Sequence, residues 1–134
     1  MSPFETTVGV RYRDLDTMGH VNNAVYATYL ETARTEFFRE VLDIDVAEVG
    51  GVVVASLSLE FHAPLTGTGP VTVSLWVPEV GETSCTFAYA ISRDGRRVAE
   101  GETTLVTLDE TGEPAPLPDR VRTTIEEYGE PPES

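Results

Sequence analysis

The sequence predicts an α+β domain in which one long helix packs against an antiparallel sheet. Between residues 23 and 41, apolar residues recur at spacings of three and four, which is typical of an amphipathic helix. From residue 51 onward the apolar residues alternate with polar ones over four successive segments, which indicates strands. The connections between these segments are short, so we expect an antiparallel meander.

The length and composition indicate one globular domain. The chain has 134 residues, of which 40% are hydrophobic and 24% charged. Because five of its nine prolines lie between Pro114 and Pro132, we expect a folded domain over residues 1–128 and a tail over 129–134. The N-terminus lacks the pattern of a secretory signal, and no apolar run reaches the roughly 20 residues that span a bilayer. The expected location is therefore the cytoplasm.

A short strand is predicted at residues 7–12, followed by a polar, glycine-containing loop at 13–22 and a helix from Asn23 to Val41. Asn22 or Asn23 suits the N-cap, because a short amide side chain accepts a hydrogen bond from the first helical turn. The residues of the apolar stripe are Tyr26, Tyr29, Leu30, Ala33, Phe37 and Val41. Two i,i+3 pairs are expected on the other face, Glu31 with Arg34 and Glu36 with Arg39.

Four strands follow, at residues 57–62, 71–77, 85–91 and 98–108. The last two are joined by Asp94-Gly95, a strong hairpin signal. A weaker pattern after Pro118 predicts a short C-terminal helix. The stripe of the long helix has one place to be buried, which is the face of this sheet.

The charge balance excludes several chemistries. The chain has 23 acidic residues against nine basic ones, all of them arginine, and a net charge of -14. Without lysine there is no Schiff-base catalysis, no P-loop and no Ser-Lys pair. No basic surplus exists to bind nucleic acid or an anionic membrane. The composition resembles that of halophilic proteins, and an ordinary acidic soluble protein is the alternative.

Cysteine and histidine usage predicts no disulfide and no metal site. Cys85 is the single cysteine, and its alternation with other apolar residues indicates a buried strand thiol. His20 and His62 lie far apart and form no short metal-binding motif. There is no Gly-x-Ser-x-Gly motif of a serine hydrolase.

Residues 10–34 resemble the signature of hotdog-fold acyl-CoA thioesterases of the 4-hydroxybenzoyl-CoA thioesterase type. They contain an Asp-x-Asp-x-x-Gly-His-Val-Asn-Asn loop and a Tyr-x-x-Tyr-x-Glu-x-Ala-Arg helix, and residues 60–65 and 98–101 show a weaker match. The resemblance implies a helix wrapped by a five-stranded antiparallel sheet. It also implies a homodimer or homotetramer with active sites at the subunit interface, and hydrolysis of acyl-CoA without a cofactor.

Within the signature, the resemblance maps the catalytic carboxylate onto Asp16, three residues before Gly19, and not onto Asp14. It assigns the backbone N–H of Asn23 as the donor to the thioester oxygen, which agrees with the electrostatics of a helix N-terminus. His20 and Asn22 either orient the loop and contact the thioester or simply cap and pack the turn.

The candidate substrate-binding residues lie further along the chain. Tyr26 belongs to the helix stripe, which is available to an acyl group. Glu60 and His62 share the polar face of a strand that approaches the partner's active site in the family, although many relatives carry arginine at the position of His62. Three arginines flank the hairpin turn and could pair with the phosphates of coenzyme A, namely Arg93, Arg96 and Arg97. For Glu60 and the three arginines a solvated surface position is the alternative, and for His62 a surface or interface position.

The leading hypothesis is an acyl-CoA thioesterase in which Asp16 acts as nucleophile or as general base. One alternative is a non-catalytic acyl-CoA binding or sensor protein on the same fold. Another is a hotdog dehydratase, which would need an Asp-His pair in a different loop. The sequence leaves the acyl group open.

Overall fold

In a computed structural model, which describes residues 2–44 and 51–133, the chain forms five strands and two helices. The strands are β1 (Phe4–Val10), β2 (Val52–Phe61), β3 (Gly69–Val80), β4 (Ser84–Arg93) and β5 (Arg96–Thr107), and the helices are α1 (Asn23–Glu40) and α2 (Asp119–Glu126). A single 3-10 turn, Tyr12–Asp14, follows β1. The predicted long helix and the short C-terminal helix are both present. The first strand covers residues 4–10 instead of the predicted 7–12, because residues 12–14 form a turn.

The five strands form one antiparallel sheet in the order β1-β3-β4-β5-β2. The predicted meander is therefore correct for β3, β4 and β5 but wrong for β2. That strand pairs with β5 and lies at the opposite edge from β1, so three strand spacings separate it from β3. The connector at residues 62–68 crosses this gap of about 14 Å, which seven extended residues span easily.

α1 lies across one face of the sheet and buries the predicted stripe. Leu30, Ala33 and Phe37 are fully buried. The ring of Phe37 makes edge contacts with three other aromatic rings, at centroid distances of 5.5 Å to Phe4, 5.6 Å to Phe87 and 5.1 Å to Tyr128. The helix core thus joins the first strand, the middle of the sheet and the segment that follows α2.

Gly101 of β5 sets how closely α1 approaches the sheet. A Cβ at this position would lie 2.9 Å from Leu30 Cδ1 of the helix and 3.0 Å from the carbonyl oxygen of Ser58 in the neighbouring strand. With any other residue the Leu30 side chain and the neighbouring strand would have to shift, so glycine suits this close approach. Since Gly101 pairs with Leu59, both residues face α1, and Glu60 and Glu100 face away from it.

Only one of the two predicted pairs on α1 forms. Arg39 binds Glu36 as expected. Arg34 instead donates from Nη1 to the Tyr89 hydroxyl at 3.1 Å, and that hydroxyl is 2.7 Å from the Thr103 hydroxyl. Because Tyr89 and Thr103 are buried polar groups, satisfying them stabilises the fold more than an exposed ion pair with Glu31 would.

A five-stranded antiparallel sheet wrapped around one long helix is the hotdog fold, so the predicted fold class is confirmed. Cys85 is buried as expected, and this burial raises its pKa to about 11. Neither helix in the described part of the chain is long and apolar enough to cross a membrane.

Candidate active site

The loop between β1 and α1 folds back on itself and holds Asp16 near the start of the helix. A bridge between Leu15 and Val21 closes the loop. Inside it, the Asp16 N–H donates to the His20 carbonyl at 2.7 Å, and the Gly19 N–H donates to the Asp16 carbonyl at 3.0 Å. Gly19 has a φ of 77°, which glycine adopts without strain. The motif therefore encodes a tight turn of defined shape.

The Asp16 carboxylate is exposed, and its orientation is fixed through one oxygen. Oδ1 accepts hydrogen bonds from the Met18 N–H at 2.9 Å and the His20 N–H at 3.1 Å. Over residues 2–44 and 51–133, no group donates to Oδ2. A carboxylate held at one oxygen and open at the other can attack a carbonyl or accept a proton.

Asp14 has the opposite environment, although it lies only two residues away. Its side chain is 4% exposed. Oδ2 accepts from the Arg11 N–H at 2.9 Å and from the Tyr29 hydroxyl at 2.9 Å. Burial raises the pKa of Asp14, whereas these hydrogen bonds and the Arg11 guanidinium lower it. Because the lowering effects together are larger, the pKa lies below its ordinary value. Asp14 anchors the loop to α1.

The helix N-terminus lies at the far end of the same loop. The Asn22 side chain is the N-cap and accepts a hydrogen bond from the Ala24 N–H at 2.9 Å. Asn23 is the first helical residue, and no acceptor in the described part of the chain takes its N–H. The positive end of the helix dipole adds to the attraction of this N–H for a negative oxygen. His20 contributes its backbone to the turn, and its side chain is exposed.

Residues 62–68 support this loop from the other side. The Val21 N–H donates to the Leu65 carbonyl at 2.8 Å, and His20 forms a bridge with Thr66. Tyr26, one turn into α1, is buried and packs its ring against Phe61 at 4.9 Å. Burial raises the pKa of Tyr26, and the nearby Arg93 partly offsets this effect. In a single chain Tyr26 is thus a core residue beside the loop.

The three arginines of the β4–β5 hairpin have different partners, although Arg93 and Arg96 lie directly opposite each other in the strand register. Arg93 donates to three carbonyl oxygens, those of Thr66 at 2.6 Å, Gly69 at 3.1 Å and Pro70 at 3.3 Å. Arg97 pairs with Glu100. Since these guanidiniums are engaged, Arg96 is the one of the three without a partner in the described chain.

Glu60 and His62 lie together, but away from the helix side of the sheet. The imidazole Nε2 of His62 is 3.0 Å from Glu100 Oε2, and Glu60 lies directly opposite Glu100 in the strand register. The structure does not bring this group together with Asp16. Sequence reasoning missed Glu100, because its position beside residues 60 and 62 depends on the register of β5 with β2.

The loop that carries Asp16 also exposes two large side chains that the sequence did not single out. Tyr12 is 84% exposed and Met18 is 76% exposed. An apolar cavity of about 210 Å³ does exist, between α2 and the C-terminal end of α1, where Phe38 and Leu42 line it. It begins about 22 Å along α1 from Asn23.

A hotdog fold with an exposed carboxylate held ahead of the N-terminus of its long helix defines a class of thioesterase-like proteins. The chain belongs to the thioesterase-like superfamily, whose family model matches residues 10–125.

Curated relatives from Arabidopsis thaliana support this membership. The chain is 31% identical over 124 residues to the chloroplastic acyl-acyl carrier protein thioesterase ATL2, an alignment that covers 88% of this chain and 65% of that protein. It is 30% identical over 129 residues to ATL3, which has the same description, with 91% and 67% covered. The chain thus spans slightly less than two thirds of the length of ATL2.

Solved structures show the same fold over almost the whole chain. A thioesterase from Thermus thermophilus, complexed with coenzyme A and Zn, is 36% identical with a TM-score of 0.83, and the match covers 96% of this chain and 95% of that one. A predicted thioesterase from Bacillus stearothermophilus is 26% identical with a TM-score of 0.87, covering 97% and 98%.

Proposed function

We propose that the protein hydrolyses acyl-CoA thioesters to a free acid and coenzyme A, with Asp16 as the reacting carboxylate. One observation carries the proposal: the Asp16 carboxylate is held by Oδ1, leaves Oδ2 open, and lies in the loop that ends at the Asn23 N–H. Membership of the thioesterase-like superfamily supports it. The 4-hydroxybenzoyl-CoA thioesterase type belongs to the same proposal.

The chemistry has two forms that share this arrangement. In the first, Asp16 Oδ2 attacks the thioester carbonyl carbon, the C–S bond breaks, the thiolate leaves, and water hydrolyses the mixed anhydride. In the second, Asp16 accepts a proton from water, the hydroxide attacks, and the thiolate leaves and is protonated. In both, the carbonyl oxygen becomes negative, and the Asn23 N–H is the proposed donor that stabilises it.

Coenzyme A is the thiol that we propose. The Thermus thermophilus neighbour is a complex with coenzyme A, whereas the Arabidopsis relatives are thioesterases for acyl-acyl carrier protein. Phosphates require positive charge, which is scarce in a chain with a net charge of -14. Arg13, in the turn that precedes Asp16, and Arg96 have no hydrogen-bond or ion-pair partner in the described chain, so they are the guanidiniums best placed to bind phosphate.

The deciding experiment measures thiol release from a panel of acyl-CoA esters of different chain length and aromaticity. We expect release well above the enzyme-free rate for at least one ester. The same acyl groups on acyl carrier protein and on a short thiol separate recognition of the thiol from recognition of the acyl group. Saturable binding of the esters without any thiol release would instead support the non-catalytic binding protein.

We also propose that two chains pair through β2. Among the residues that the structure describes, this edge strand bonds only to β5, and it exposes four large apolar side chains, Val53, Val54, Leu57 and Phe61, each 44% to 48% exposed. An exposed apolar edge strand is a template for pairing with another strand. A second copy of β2 would continue the sheet and cover this surface, in line with the interface sites that the family resemblance implies.

Light scattering tests the assembly. We expect a mass of two or four times the 14.6 kDa chain. The Val54→Arg/Leu57→Arg variant should shift toward the monomer, because it places two charges in the interface, and should lose activity with it. Thr123→Arg on the exposed side of α2 is the matched control and should keep the wild-type mass. A monomeric wild type with full activity contradicts the proposal.

A further inference from the structure

Three potential metal ligands converge on the sheet face opposite α1. They are Glu60 at the end of β2, His62 just beyond it, and Glu100 of β5, and their ligand atoms all lie within 4.8 Å of one another. His62 Nε2 and Glu100 Oε2 are 3.0 Å apart. Two donors on one metal ion, each about 2.0–2.2 Å from it, lie about 3 Å from each other, so this pair already has the spacing of neighbouring ligands.

The group lies among several carboxylates, and a cation would balance their negative charge. Glu60 and Glu100 are directly opposite each other in the register, and like charges in that arrangement destabilise a strand pair. Glu102 follows on the same face of β5 and adds a third carboxylate. Arg97 supplies the only positive charge that the described chain places against this group, and it contacts Glu100 Oε1.

Arg97 also fixes which oxygen is available. Because its guanidinium binds Oε1 of Glu100, Oε2 is the oxygen that faces His62. A hydrogen bond to the second atom of a ligating group is the usual way in which proteins orient a metal ligand. The guanidinium charge opposes a cation, but it is matched by the charge of Glu100 and leaves the charge of Glu60 uncompensated.

We propose that Glu60, His62 and Glu100 form a binding site for one divalent transition-metal ion of the Zn²⁺ type. An imidazole nitrogen with two carboxylate oxygens suits zinc and its neighbours, whereas Mg²⁺ and Ca²⁺ prefer oxygen ligands alone. The side chains of His62 and Glu100 are 41% and 35% exposed, so the remaining coordination positions face solvent and take water.

A metal ion bound at this site would stabilise the neighbouring part of the chain. A metal ion would link the end of the edge strand β2 to β5, directly before residues 62–68. Those residues hydrogen-bond to the loop that carries Asp16, through Leu65 with Val21 and through Thr66 with His20. The ion would therefore stabilise the support of the candidate active site.

The test uses tag-free protein that has been treated with a chelator and exchanged into metal-free buffer. Calorimetric titration with ZnCl₂ should show one saturable site per chain. Glu60→Gln, His62→Ala and Glu100→Gln should each weaken binding by about tenfold or more, because loss of an outer-shell partner alone already costs about that much and these residues would contact the ion directly. The controls are Glu102→Gln, which removes a charge from the same face, and His20→Ala, which removes the other imidazole. Both should bind within about twofold of wild type.

Cobalt provides a second readout that does not depend on activity. Co²⁺ in the site should give a visible absorption spectrum that His62→Ala abolishes and His20→Ala retains. Circular dichroism of each metal-free variant checks that the fold is intact. The proposal is overturned by a titration without saturable binding, by binding that survives any one of the three ligand substitutions, or by equal loss in Glu102→Gln.

Discussion

Asp14 and Asp16 are the same residue type in one short loop, yet the fold gives them opposite roles. Asp14 is buried and accepts hydrogen bonds from Arg11 and Tyr29. The Asp16 carboxylate is exposed, and within the described residues it accepts hydrogen bonds at Oδ1 alone, from the backbone of its own turn. A carboxylate whose oxygens are occupied stabilises structure, whereas one with an open oxygen can react. The surroundings of each carboxylate, and not the residue type, make this distinction.

The local chain path explains the difference. The 3-10 turn at Tyr12–Asp14 directs Asp14 toward Tyr29 of α1. Directly afterwards, the bridge between Leu15 and Val21 starts a second turn, which places Asp16 at the surface. The same substitution at the two positions should therefore have two different effects.

The largest effect is expected from Asp16→Asn. An amide can neither attack a thioester nor accept a proton, so kcat should fall by roughly 10²–10⁴-fold. The amide oxygen still accepts from the Met18 and His20 N–H groups, so the melting temperature and acyl-CoA binding should stay near wild type. Steady-state kinetics alongside thermal melts check this. Activity within a few-fold of wild type would remove Asp16 from the mechanism.

The second prediction tests the helix N-terminus with Asn23→Pro. Proline is well tolerated at the first helical position and removes the N–H, and the extended φ and ψ of Asn22 suit a following proline. Loss of an oxyanion donor should lower kcat by roughly 10²–10³-fold. Asn23→Ala keeps the N–H and is the matched control, with near wild-type kcat. Equal activity of the two variants would place the donor elsewhere.

These predictions depend on the roles given to Asp14, Asp16 and Asn23, and the sequence alone predicted only some of them. The family resemblance singles out residues 16 and 23, and the helix starts at Asn23, where the apolar pattern places it. The end of β1 and the burial of Asp14 could not be read from the sequence, because they depend on a hydrogen bond to Tyr29, fifteen residues further on.

The other differences between the sequence-based predictions and the structure arise from pairings between residues that are distant in sequence. The alternation in β2 identified a strand, but alternation does not specify a neighbour, and the strand pairs with β5 at the far edge. Proximity in sequence grouped Arg93 with Arg97, yet Arg93 binds backbone carbonyls of residues 66–70 whereas Arg97 binds Glu100. Pairings of this kind are set by the packing of α1 on the whole sheet.

The third prediction, smaller in size, is a loss of stability in Asp14→Asn. Hydrogen bonds to a neutral amide are weaker than those to a carboxylate, so the free energy of unfolding should fall by about 1–2 kcal/mol. Activity per folded molecule should stay within a few-fold of wild type. Denaturant unfolding measures the first quantity and kinetics at low temperature the second. A stable but inactive Asp14→Asn variant would contradict the structural role of Asp14 and would indicate that Asp14 takes part in the reaction.

The smallest effect is the pH dependence of that loss. The pKa of Asp14 is lowered in the folded protein from an ordinary value of 3.8, so its contribution to stability is present above that value and disappears as the pH falls through the folded pKa. The difference in melting temperature between wild type and Asp14→Asn should therefore be full at pH 6 and shrink below about pH 4. A constant or growing difference would contradict the assigned shift.

Gly101 has a consequence for how freely sequences of this fold can diverge. It lies in the middle of β5, far along the chain from the Asp16 loop, and takes no part in the proposed chemistry. A side chain there would press on the tip of Leu30 and on the Ser58 carbonyl, so the helix or the neighbouring strand would have to shift. Because the Asn23 N–H is the first group of that helix, a shift of the helix would displace the proposed oxyanion donor relative to Asp16. We therefore expect reaction geometry as well as packing to favour glycine at residue 101.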